Sequence, residues 1–419
     1  MEKGKPKTLL GRKLYIPQMS YEGARCMAAA FQSIGIAAQP TPDSDAQTLT
    51  LARKYLSGDE CLPEAVTLGD FLKVTLQPDY DPAKTAFLLP TSNGPCRFGH
   101  YMPLARKIFR ERGEADILLL SPTSSDGYDG IGAGATELVR TGWRAMVASD
   151  ILRKMVLKTR PYELLHGSTD AAFANSLDRV CAAVASAGVS HGRRMQAIVS
   201  AMVESHDEFR GVAVNKEKPK LLIGIVGEIF CRLNDFSNDQ LLRLIERHGG
   251  EAWMSDVAEW VWYTNDEERL RLVRQGRRLS FRMLGCKIKH AVMRVDEHKL
   301  LEPFQEDFAG YEEPQDVREI LHRSRPYLPR EGALGEMVIS LGKTLWYYEK
   351  GAAGVIDISP FTCMNGIVCE AVYPRVSREH HDFPIRVFYF DGLRGSAESD
   401  VEIFMELARN YQARKASPA

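Results

Sequence analysis

Residues 221 to 226, Leu-Leu-Ile-Gly-Ile-Val, form a strand-length apolar run with no hydrogen-bonding side chain to offer to water. A run of this kind is buried on both faces, which is the condition of a strand inside a parallel sheet covered by helices. Shorter runs of the same type recur at Leu14-Tyr15-Ile16, Phe87 to Pro90, Ile117 to Leu120, Glu251-Ala252-Trp253, Gly354 to Ile358 and Ile385 to Phe390. Helical patterns separate them: Gly23 to Ile34, Leu104 to Arg112, Asn238 to His248, a long charged stretch from Glu267 to about Lys350, and a last one near Glu402 to Arg409. The alternation predicts an α/β chain of two Rossmann-like lobes, with parallel sheets and helical additions. From Thr136 to about Phe209 the pattern is continuously helical, and the charged, proline-containing segment Val214 to Lys220 precedes the most apolar strand. The expected division is an N-terminal α/β lobe over 1–135, a helical connector over 136–217, and a C-terminal α/β lobe with a helical insertion over 218–419.

At 419 residues the chain has room for two or three domains and needs no disulfide staples. Lys and Arg total 54 against 55 Asp and Glu, a net charge of -1 that gives no sign of nucleic acid or an acidic membrane as partner. The basic start lacks the apolar core of a secretory signal, and no later run has the ~18 apolar residues of a membrane helix. The expectation is a cytoplasmic protein. Its eight cysteines are scattered, a pattern that in a reducing compartment favours metal ligation, catalysis or packing over disulfides.

Open parallel sheets bind ligands beyond the carboxyl ends of their strands, where loops converge and helices begin. Three cysteines fall there. Cys96 follows the run ending at Pro90, in "TSNGPCRFGHY"; Cys363 follows the run ending at Ile358, in "ISPFTCMNG"; Cys61 precedes the helix expected near Pro63. Thiolates at helix starts are stabilised by the macrodipole, so a lowered pKa is expected at each. Cys181, Cys231 and Cys286 sit in helix- or strand-like contexts that favour packing, as does Cys26 among its alanines. Cys369 falls on the next helix, with a ligand role and packing equally open.

At these residues the chain resembles a known family. "DECLPEAVTLGDF", "TSNGPCRFGHY", "GIVGEIFCRLNDFSND" and "ISPFTCMNGIVCEAVYPRVSREH" together resemble the proteins related to 2-hydroxyacyl-CoA dehydratase subunits and their activases, from about Lys13 to Arg409. The resemblance implies two or three Rossmann/flavodoxin-like lobes around an iron–sulfur cluster in the inter-lobe cleft, with Cys61, Cys96 and Cys363 as its ligands. Relatives often carry a second cysteine where this chain has Glu64, and another where it has Ser20; Cys26 is displaced along its helix. These departures count against a six-cysteine double-cubane cluster and favour a single [4Fe-4S] unit, whose three thiolates would leave one iron open. The implied activity is a low-potential one-electron reduction or radical dehydration of a small molecule, an acyl-CoA in the relatives, in anaerobic metabolism. The electron would come from an ATP-dependent activase of the ASKHA type, since this chain has no GxxxxGK[ST] loop and "DGIGAGAT" is a loose glycine cluster. A homodimer is compatible with lobes of this type. Alternatives are a non-catalytic electron-transfer or cluster-holding subunit, a double-cubane-type small-molecule reductase, and a zinc-bound or metal-free interaction protein.

The catalytic candidates are Arg97, His100 and Glu64. Arg97 would donate to sulfide or a substrate anion, against a structural salt bridge to Asp70 or Glu64; His100 with Tyr101 would relay protons, against helix-start packing. Glu64 stands as an oxygen ligand or acid, against an exposed first-turn residue. Asn93 and Asn365 read as turn residues, and "GIVGEI" as a weak phosphate turn. Glu228 and Asn234 could instead contact substrate or tie the lobes together. The pair His380 and His381 cannot easily face one ion, so metal is not assigned to it.

Overall fold

The structure is a computed structural model describing residues 8–92, 94–121, 131, 134–331, 333, 335–393 and 397–416. Asn93 and part of the glycine cluster at 129–136 lie outside the described residues. The chain forms two compact units, Met1–Ala145 with Arg179–Ile198 and Met146–Asp178 with Val199–Ala419.

The first unit runs β1 (Lys13–Ile16), α1 (Tyr21–Gln32), β2 (Ala38–Pro40), α2 (Ala46–Ala52), α3 (Leu62–Val74), β3 (Thr85–Leu88), α4 (Phe98–Glu111) and β4 (Leu118–Leu120). Its sheet is all parallel in the order β2-β1-β3-β4, with Tyr15 opposite Phe87 and Phe87 opposite Leu119. The core is a stack of rings: Phe87 on β3 lies 4.1 Å from Phe71 of α3 and 5.6 Å from Phe109 of α4 between centroids. Stacked aromatic pairs add about 0.5–1.5 kcal/mol each beyond their buried area, and here they tie α3 and α4 to one strand. The helices α5 (Ala135–Thr159), α6 (Ser168–Ala185) and α7 (His191–Arg210) follow, as the continuous helical pattern predicted. Each gives some of its residues to either unit.

The second unit continues with β5 (Leu221–Gly227), α8 (Ile229–Leu233), α9 (Leu241–Arg247) and β6 (Gly250–Met254). A helical insertion comes next: α10 (Val257–Arg274), α11 (Phe281–Leu301), α12 (Val317–Ser324) and α13 (Glu336–Glu349). The unit closes with β7 (Gly354–Pro360), α14 (Met364–Glu379), β8 (Ile385–Phe390) and α15 (Ala397–Ala416). Its sheet is parallel in the order β6-β5-β7-β8, with Ile225 opposite Ile356. All seven residues of β7 are buried, including Asp357, whose carboxylate accepts the Tyr373 hydroxyl at 2.6 Å. The fold class is therefore the one the apolar runs predicted. The strand β2 and helix α8 were missed because three and five residues are too short to show a period. No helix among the described residues is long and apolar enough to cross a membrane.

Helices α2 and α3 approach closely at Gly69, where a Cβ would lie 2.1 Å from the Thr48 carbonyl oxygen of α2. Gly69→Ala should cost about 1–3 kcal/mol through overpacking. Gly285→Ala, in a helix position with nothing within 4 Å, should be neutral or stabilising by up to ~1 kcal/mol. Midpoints of urea unfolding followed by circular dichroism compare the two.

Candidate functional site

The two units share one strand order, and in each the direction in which strands are added to the parallel sheet reverses between the first and third strands. At such a switch point the loops after those two strands diverge and leave a crevice. Cys96 follows β3 and Cys363 follows β7, so each thiol occupies the loop after the third strand of its own sheet. Sequence periodicity had not shown this correspondence, because the loops and helices between matching strands differ in length.

In the first unit, Cys96 is exposed and stands just before α4, where its Sγ accepts the Phe98 N–H at 3.5 Å. The helix begins at Phe98, six residues earlier than its periodicity suggested, so Arg97 is its cap residue and His100 lies in its first turn. Gly99 permits this start: a Cβ there would lie 2.8 Å from the Ser92 carbonyl oxygen. Cys61 is the N-cap residue of α3, with Pro63 in the first turn. Its Sγ is 2.9 Å from the Tyr101 hydroxyl of α4, and Glu64 Oε1 of α3 is 3.0 Å from His100 Nδ1 of α4. The starts of α3 and α4 thus lie side by side and bring together Cys61, Glu64, His100 and Tyr101.

Glu64 departs from the exposed first-turn residue that is usual at such a position. Its side chain is 2% exposed while that of His100 is 57% exposed. Burial pushes the Glu64 carboxyl up, opposed by the His100 hydrogen bond and charge and, more weakly, by the charge of Arg97. Its Oε2 is buried with no hydrogen-bond partner. Glu64 and Tyr101 border a small cavity of about 10 Å³, otherwise lined mainly by apolar side chains, roughly the space of one water centre. The Asp70 carboxylate accepts the Ser44 and Thr48 hydroxyls, both at 2.7 Å.

In the second unit, Cys363 is the N-cap residue of α14, without a side-chain cap bond. Thr362 before it sits at φ 65°, a left-handed conformation that a β-branched residue adopts only under strain. The expected lowering of the thiol pKa fails here. Burial, then the charge of Glu228 and, further down, that of Glu336, push Cys363 up to about 12 against two backbone N–H bonds at the helix start. Glu336 is itself pushed up to about 8 by burial and by Glu228. Glu336 Oε1 accepts the Ile229 N–H at 2.9 Å, and Oε2 accepts Asn365 Nδ2 at 3.3 Å. Asn365 Oδ1 is buried without a partner. The phosphate-turn reading of "GIVGEI" is overturned, because the Glu228 carboxylate occupies the Phe230 and Cys231 N–H groups at 3.0 and 2.8 Å. Asn234 shapes a turn, accepting from Ser237 N and Oγ.

The other cysteines are placed by packing. Cys231 is fully buried, and Cys369 is buried with Sγ 3.5 Å from the Met337 carbonyl oxygen. Cys26 is buried on α1, with Sγ 3.9 Å from Cys181 Sγ. His380 bonds the Val376 carbonyl through Nδ1 at 2.8 Å and packs edge-on against Tyr348, a structural role. Sequence reasoning missed Glu336; its place three residues after Ala333 on an unassigned helix start gave no signal.

Within either unit, no three His, Cys, Asp or Glu side chains among the described residues gather closely enough to hold a metal ion. Cys61, Cys96 and Cys363 are free thiols at or just before helix starts, soft donors of the class that iron accepts. In comparisons with known proteins, no family model and no curated protein matches the chain.

The helix that carries Cys61 and Glu64 is also held through Asp70, whose carboxyl burial pushes from 3.8 to about 7. An unfolded chain releases this proton first, so the stability contributed by the neutral form is complete below about pH 4 and lost as pH rises through about 7. Asp70→Asn cannot ionise and should lack that fall, a difference of up to about 4 kcal/mol in unfolding free energy across the window. Urea midpoints measured from pH 4 to 7.5 in parallel for both proteins read the slope directly.

Proposed function

We propose that this chain is an iron–sulfur protein performing a low-potential one-electron reduction or radical dehydration of a small molecule, with electrons supplied by a separate ATP-dependent activase. Its thiolate ligands are drawn from Cys61, Cys96 and Cys363. The observation that carries the reading is the matched placement of Cys96 and Cys363, each after the third strand of its own sheet, with Cys61 on the helix beside Cys96. The likeness of these same loops to the 2-hydroxyacyl-CoA dehydratase-related proteins supports it. When bound, a [4Fe-4S] cluster with three protein thiolates supplies a low-potential electron and an iron able to act as a Lewis acid.

The chain's own groups supply the rest. Glu64 keeps a proton more readily than an exposed carboxyl and sits against His100, so the pair can pass a proton between Oε1 and Nδ1. Tyr101 holds its hydroxyl against Cys61 and orients that thiol. Arg97, exposed at the start of α4, offers a fixed positive charge to an anionic substrate group. Cys363 must lose its thiol proton before it can bind metal.

Anaerobic reconstitution with iron and sulfide tests the proposal. About four irons per chain and an electron paramagnetic resonance signal on reduction are expected, with Cys61→Ser, Cys96→Ser or Cys363→Ser each losing most of the iron. Cys286→Ser, on α11 and outside the three cysteine loops, should keep it. Wild-type protein with no iron above background ends the proposal, while a cluster whose spectrum ignores added acyl thioesters would favour the electron-transfer alternative.

A further inference from the structure

The hairpin of α10 and α11 turns its apolar side chains outward at one end. Leu279 in the connection is 101% exposed and Phe281, which opens α11, is 94% exposed. Leu284, Ile288 and Val295 are 54%, 57% and 53% exposed. Steps of three, four and seven residues from Phe281 keep these side chains on one stripe of the helix. The opposite stripe is the packed one: Met283, Met293 and Leu300 are buried, Asn265 Nδ2 of α10 meets Met293 Sδ at 3.4 Å, and His290 lies edge-on to Trp262 of α10. The hairpin is thus held by its own inner seam, and the outer stripe is left over.

Charge accompanies the stripe. Between Arg274 and Val295 the chain has seven Lys or Arg residues and no Asp or Glu, in a protein whose net charge is -1. Arg274 and Arg282 reach Glu331 and Glu268. Arg277, Arg278, Lys287 and Arg294 are exposed and make no ion pair among the described residues.

We propose that this hairpin is a peripheral membrane-binding element, which sets Leu279 and Phe281 into the interface of a bilayer containing anionic lipid while Arg277, Arg278 and Lys287 engage the headgroups. A second copy of the chain would bring the same cations to the contact and be repelled. Nucleic acid would satisfy the arginines and leave the apolar stripe in water. An anionic bilayer meets both requirements without a shaped pocket, because its interface accepts apolar side chains a few ångströms below a negatively charged surface. The contact lies along the surface and does not span it. This inference is independent of the cysteines and of the cluster proposal.

Sedimentation of the full-length protein with extruded vesicles tests it. Binding is expected to vesicles of about one third phosphatidylserine in phosphatidylcholine, with little binding to phosphatidylcholine alone and loss at ~0.5 M salt through screening. Leu279→Ser with Phe281→Ser, and separately Arg277→Glu with Arg278→Glu, should each weaken binding at least about tenfold. Unchanged circular dichroism would show that these variants fold. Leu164→Ser with Leu165→Ser, exposed apolar residues outside the hairpin in the connection before α6, should bind as wild type. The proposal is overturned by absence of anionic-vesicle binding, by binding that the hairpin variants leave unchanged, or by hairpin-dependent binding to duplex DNA or RNA in place of vesicles.

Discussion

A strand in a parallel sheet must be covered on both faces, and everything else in this protein follows from satisfying that requirement twice. In each unit four short strands are joined by helical connections, which take the order second-first-third-fourth. That order leaves the loops after the first and third strands diverging at the carboxyl edge, where following helices present unpaired N–H groups. In the first unit this edge carries Cys96 and the start of α4, with α3 alongside; in the second it carries Glu228, Cys363 and the start of α14. The ring stack of Phe71, Phe87 and Phe109 then fixes α3 and α4 on the same strand, so Cys61, Glu64, His100 and Tyr101 meet although up to 40 residues separate them.

Burial of charge is used in two opposite ways within the second unit. Glu313 is partly buried, and Lys154 and Lys343 hold its carboxyl down at about 2 against the cost of desolvation, while the Trp253 indole donates to it at 2.8 Å. This cluster joins α5, β6, α13 and the loop before α12, and its charges are paired. Glu336 and Glu228 are both partly buried, and desolvation followed by the charge of Glu228 pushes Glu336 up to about 8. Carboxyls whose surroundings drive them apart in this way separate a structural ion cluster from a place where protons can be held near neutral pH. Glu64 in the first unit belongs with the second kind, being buried beside a largely exposed histidine.

Much of the fold was legible because strand burial writes itself as apolar runs: β1, β4, β5, β6, β7 and β8 all fall on the segments read as strands, and β3 is displaced by two residues. Helix starts were less legible. The start of α4 was misplaced because "RFGHY" has no periodic apolar signal, and its early start depends on Gly99 fitting under the Ser92 carbonyl. Of the candidate residues, the loop positions of the three thiols were visible in the sequence, while the burial of Glu64 was invisible because a first-turn glutamate looks the same whether it faces water or a neighbouring helix.

By itself the sequence determined the class of fold, the number of sheets, and which cysteines follow strands, because these depend on local apolarity and on turn residues that act within a few positions. Only the tertiary structure decided how those groups behave. The Cys363 thiol lies at a helix start, where local rules favour the thiolate, yet burial, and after it two carboxylates brought in from β5's end and from α13, reverse the effect. Electrostatic free energy depends on distance and desolvation, and both are set by chain segments more than a hundred residues apart in the sequence for the pair Cys363 and Glu228.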